Sequence, residues 1–111
     1  MIASTPSPPY YAVIFTSVRN ENAEGYAAMA EKMYALAAQQ PGFLGVESAR
    51  EAVGITVSYW ASQEAIHRWK QQTDHQLAQQ LGRTHWYAAY KTRICRVERE
   101  YEYLTSPEQH P

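Results

Sequence analysis

The chain predicts an α+β fold of the ferredoxin-like kind, βαββαβ, with a four-stranded antiparallel sheet carrying both helices on one face. Three observations predict it. Two segments repeat apolar residues at helical spacing, four runs have strand length and β-branched or aromatic composition, and their order along 111 residues alternates as that topology requires. A chain of this length, 45% hydrophobic and 19% charged, has room for one domain.

Residues 1–9, "MIASTPSPP", are proline-rich and read as a flexible arm; 105–111, "TSPEQHP", read as a flexible tail, leaving 10–104 for the domain. "YYAVIFTS" (10–17) is a strand with two apolar faces: Tyr11, Val13 and Phe15 on one, Ala12 and Ile14 on the other. Such a strand needs cover on both sides. From about Ala23 to Ala38, Tyr26, Met29, Ala30, Met33, Leu36 and Ala37 form one stripe of a helix, which "QQPG" ends. "FLGVESARE" and "GITVSYW" are strands joined by a hairpin at 52–54. Ser62 is placed to cap the second helix, with Glu64 favourable near its positive end. The last strand, Tyr90 to Tyr103, is roughly twice as long as the hairpin strands, and its outer half has no local partner. Two layers leave one sheet face bare, so the pattern predicts a second copy on that face, reached by the long last strand.

A formal charge of −1 gives no electrostatic reason to bind nucleic acid or an anionic membrane. Neither a signal segment nor a membrane-length apolar run is visible, and the single cysteine, Cys95, excludes an internal disulfide, so a cytoplasmic protein is expected. Cys95 itself reads as a small buried apolar residue. Nine tyrosines and three tryptophans suit an aromatic cavity or a dry interface.

"QQPGFLGVES", "SYWASQEAIHRWK" and "RICRVEREY" together resemble the antibiotic biosynthesis monooxygenase (ABM) domain family, across nearly all of 10–104. The resemblance implies a dimeric α+β barrel. It also implies either cofactor-independent oxygenation of polyketide-type aromatics or, in another branch, haem degradation. The run "HQLAQQLGRTHWYAAY" is similar to a bacterial subgroup of unassigned activity. Trp69 matches the helix tryptophan of the haem-degrading branch, yet the first strand lacks that branch's asparagine, and Gln79 stands where its histidine belongs.

The candidate site residues follow. Trp69 shares a helix face with Ile66, Thr73 and Leu77, which suits either a core ring or a cavity wall. His75 is the candidate base, subject to one geometric condition. On an unbroken helix it points to solvent; if Thr73 or Asp74 caps a new helix, it turns toward the cavity. Trp86, Tyr87 and Tyr90 either close the cavity or fill the helix–sheet corner. Tyr59 is a candidate hydrogen-bonding group, and Arg83 either attracts an anionic ligand or is solvated at a helix end. His67, His75 and His85, spaced by eight and ten, match no compact metal motif, so no metal is expected. Three functions fit these residues: a monooxygenase or binder of a planar aromatic needing no cofactor, a haem protein, and a non-catalytic dimeric scaffold.

Overall fold

The computed structural model describes residues 2–21, 24–79 and 86–105. Its elements run β1 (Tyr10–Arg19), α1 (Tyr26–Ala38), β2 (Phe43–Arg50), β3 (Gly54–Trp60), α2 (Gln63–Gln79) and β4 (Tyr87–Val97). All pairings are antiparallel and the strand order is β2-β3-β1-β4, the ferredoxin-like arrangement read from the sequence.

Local chemistry sets the boundaries. α1 starts three residues later than its apolar pattern suggests, because Gly25 takes a left-handed conformation (φ 80°) at the cap position. Gly42 (φ 88°) turns the chain from α1 into β2; a Cβ there would also fall 2.7 Å from Ala65 Cβ, so the turn and the seating of α2 both need glycine. Ser62 caps α2 as expected, its Oγ accepting the Ala65 N–H at 3.1 Å.

α2 does not break at Thr73 and Asp74. Both side chains are engaged within the helix: Thr73 Oγ1 donates to the Lys70 carbonyl at 2.9 Å, and Asp74 pairs with Lys70 at 2.8 Å. An interior residue whose side chain back-bonds one turn earlier is not available to cap a new helix.

The core joins Ala37, Trp60, Ala65 and Ile66, with Tyr11, Val13, Phe43 and Trp69 packed around them. Trp60 is fully enclosed at 0% exposure, between Phe43 edge-on at 5.4 Å and Trp69 stacked at 5.8 Å. Its ring N–H donates to Ser58 Oγ at 2.9 Å, so the buried donor is satisfied.

Among the described residues no helix covers the opposite sheet face. The arm of residues 2–9 has no regular structure, in keeping with its prolines, but it is tethered there: the Ala3 N–H donates to Glu47 at 2.8 Å and the Thr5 hydroxyl to Glu100 at 3.1 Å. β4 ends at Val97, short of the expected Tyr103. Residues 98–104 continue without a ladder, leaving Tyr101 85% and Tyr103 84% exposed. Cys95 is exposed rather than buried, because it lies on the edge strand β4 and points to the face opposite the helices.

Candidate functional site

A cavity of about 400 Å³ lies between the helices and the sheet. Its floor comes from alternate strand positions, Val13 and Phe15 of β1, Thr56 and Ser58 of β3, and Tyr90, Thr92 and Ile94 of β4. Its roof is the apolar stripe of α1, where Tyr26, Met29, Ala30, Met33 and Ala37 all line it. α2 contributes Ile66, Trp69, Lys70, Thr73 and Asp74.

Two aromatic clusters lie at different points along the floor. Trp69 belongs to the Trp60–Phe43 group, opposite the start of β1 through the Tyr11–Trp60 pairing. Phe15, Tyr26, Tyr87 and Tyr90 form the second group, with ring centroids 5.4 to 5.8 Å apart. From Tyr11 to Phe15 is four strand residues, roughly 13 Å. Methionines between rings give an adaptable apolar wall.

The floor carries the hydroxyls of Thr56, Ser58 and Thr92, and charged groups reach the lining only from Lys70 and Asp74 among the described residues. Burial, then the hydrogen bond and charge interaction with Tyr26, pushes the Tyr87 phenol well above its ordinary range, so it stays a neutral hydrogen-bonding group. Tyr34 meets Thr56 at a long 3.5 Å. On α2, the Lys70–Asp74 pair borders the cavity with side chains 66% and 43% exposed, which puts both charges at its mouth.

Of the residues singled out from sequence, Trp69, Tyr87 and Tyr90 line the cavity together. His75 does not: α2 is unbroken, His75 is exposed, and its neighbour Asp74 borders the cavity instead. Tyr59 is on the other sheet face, because strand alternation sends Ser58 and Trp60 inward and Tyr59 outward; there its hydroxyl donates to Glu47 at 2.7 Å. Burial and the Glu47 carboxylate raise its pKa to about 12. Trp86 is buried at 5% but outside the cavity lining, filling the helix–sheet corner with its ring N–H donating to the Glu24 carbonyl at 3.1 Å. Arg83, Gly82, His85 and the side chain of Leu77 lie outside the described residues. Sequence reading missed Phe15, Tyr26 and Met33 as cavity residues. The signal was present, since they belong to the inward sets already recognised on the first strand and first helix. It also weighed Asp74 only as a helix cap, although Asp74 borders the cavity.

An aromatic cavity under two helices, on one face of a βαββαβ sheet, places the chain in the ferredoxin-like class. The chain belongs to the antibiotic biosynthesis monooxygenase family, whose model matches residues 9–81. It is 56% identical over 101 residues to the uncharacterized protein YqjZ of Bacillus subtilis (strain 168), covering 89% of each chain. Among solved structures it is similar to SnoaB, a cofactor-independent oxygenase from Streptomyces nogalater, with a TM-score of 0.67 at 14% identity over 89% of this chain and 100% of that one. It is also similar to PA3566 from Pseudomonas aeruginosa, with a TM-score of 0.65 at 18% identity over 86% and 99% of the two chains. At these identities the structural likeness establishes the fold alone. Among the described residues no helix is long and apolar enough to cross a membrane.

Proposed function

We propose that the cavity binds a planar, electron-rich aromatic such as a phenol or anthrone, and that the chain oxygenates it with dioxygen and no cofactor. The observation that carries this reading is the lining: aromatic rings and methionines dominate the walls, the hydroxyls of Thr56, Ser58 and Thr92 dot the floor, and the charged Lys70–Asp74 pair lies at the mouth. Family membership and the fold shared with SnoaB support it. For an anthrone the reaction would turn a ring CH₂ and O₂ into a ring C=O and water. Its first demand is loss of a C–H proton, after which the substrate anion passes an electron to O₂.

The protein's tasks are then to accept that proton, hold the anion and exclude water. Asp74 at the mouth is the proton acceptor in this reading, replacing His75, and the Lys70 ammonium beside it offsets the negative charge that develops. Trp69 forms one wall, and the neutral Tyr87 phenol offers a hydrogen bond to the substrate oxygen.

The working unit in this reading is a homodimer formed through the helix-free sheet face. Ile14, Ile55 and Val57 lie on that face, Ile55 being 45% exposed, and the extended 98–104 segment holds two exposed tyrosines. A second copy would cover both.

Oxygen uptake with an anthrone tests the chemistry. Wild-type protein is expected to consume oxygen, and Asp74→Asn to slow the step by about 10²-fold or more, the usual range for a general base. Full activity in Asp74→Asn would remove Asp74 from the mechanism; no uptake by wild type would remove the oxygenase reading.

A further inference from the structure

A second cleft, of about 320 Å³, lies at the far end of the sheet and is lined by Arg19, Asn20, Glu21, Arg50, Glu51 and Ala52. Its two arginines are the last residues of β1 and β2. They come together through β3, where Gly54 pairs with Ser17 on one side and Arg50 on the other. Because Gly54 has no side chain, the Arg50 side chain can lie across it, and its Nη2 donates to Ser17 Oγ. A Cβ at Gly54 would occupy the space of the guanidinium.

Both guanidinium groups rest on the ring of Tyr26, with Cζ at 5.1 Å from its centroid for Arg19 and 5.4 Å for Arg50. Arg50 Nη2 also approaches the Tyr26 hydroxyl at 3.4 Å. Two like charges on one ring repel, and among the described residues neither has an ion-pair partner. Arg50 Nη1 is moreover buried with no hydrogen-bond acceptor among the described residues. A buried donor on a charged group is costly to leave unpaired, so this end of the sheet holds a binding capacity that its own fold does not consume.

We propose that Arg19 and Arg50 form a binding site for a small carboxylate monoanion, separate from the aromatic cavity and independent of the oxygenase reading. The planar fork of a guanidinium matches a carboxylate with two parallel N–H···O bonds. Arg50 lines the cleft, so a turn of its guanidinium would bring Nη1 to a bound carboxylate, and Arg19 supplies the second positive group. The two exposed carboxylates of the cleft, Glu21 and Glu51, offset the two arginines, so the site favours a singly charged group over a phosphate dianion.

Acetate, benzoate and inorganic phosphate, each titrated into the full chain at constant ionic strength and followed by the backbone amide signals of Asn20, Glu51 and Ala52, test this. Acetate and benzoate are expected to give saturable shifts, with phosphate at least tenfold weaker. Arg19→Gln and Arg50→Gln should each weaken acetate by roughly tenfold or more, the scale of a lost charge-assisted pair. Gly54→Ala keeps both charges but displaces the guanidinium, and should weaken acetate while unfolding at or above the wild-type temperature. Absence of saturation in wild type, unchanged affinity in folded Gly54→Ala and Arg19→Gln, or tighter binding of phosphate would each overturn the proposal.

Discussion

The two faces of the one sheet are built from the same strands and do different work. Val13, Phe15, Thr56 and Ser58 face the helices and line a cavity, whereas Ala12, Ile14, Ile55, Val57 and Tyr59 face the other way, the side to which the N-terminal arm is tethered. On β3 the contrast falls between neighbours: Trp60 is the enclosed centre of the core, and Tyr59 beside it is hydrogen-bonded to Glu47 on the opposite face. A period of two decides which of two adjacent aromatic rings holds the molecule together.

The largest effect expected from this division is at Trp60. Trp60→Ala should destabilise the protein by about 3–5 kcal/mol in urea unfolding, because the ring is fully enclosed and its neighbours cannot close the gap. A loss below about 1 kcal/mol would mean that the centre of packing lies elsewhere. Ile55→Glu on the opposite face should leave secondary structure intact but halve the mass seen in sedimentation if that face meets a second copy. An unchanged mass, or a wild-type monomer, would break the second half of the comparison.

Alkaline pH acts on both faces, since Tyr87 on the helix side is pushed up as well, and Tyr59 carries the share of the helix-free face. Its folded pKa of about 12 stands above the ordinary tyrosine value of 10.0, so the unfolded chain loses this proton first. The stability it contributes is present below pH 10 and is lost as pH rises through 12. Tyr59→Phe should flatten that part of the stability profile; an identical slope would assign the loss to other groups. The smallest effect belongs to His75. His75→Ala on the exposed side of α2 should change stability by no more than about 0.5 kcal/mol, and should leave oxygen uptake unaltered.

The fold was legible because periodicity carries it. The α1 stripe from Tyr26 to Ala37, the double apolar face of Tyr10–Ser17 and the Ser62 cap each depend on local spacing, and each appears in the structure. The site was legible only where a side chain's direction follows from its own element, as for Trp69 on α2. Tyr59 was misplaced because aromatic character was weighed without the phase of its strand. His75 turned on whether Thr73 and Asp74 bond within the helix or cap a new one, a choice set by the Lys70 carbonyl and ammonium one turn away. Trp86 depended on an acceptor sixty-two residues earlier, the Glu24 carbonyl, which no local pattern reveals. The pairing of Arg19 with Arg50 is likewise visible only once three strands are in register around Gly54.

The central claim is that the helix-side cavity is a binding site rather than a packing defect. Ala30 lines it from α1, so Ala30→Phe fills it while leaving Trp60 and Trp69 in place as reporters. Titrating an anthrone and following tryptophan fluorescence should give saturable quenching of wild type at one ligand per chain. Ala30→Phe, with thermal unfolding no lower than wild type, should show no quenching. Equal quenching of both proteins, or none of the wild type, would contradict the account.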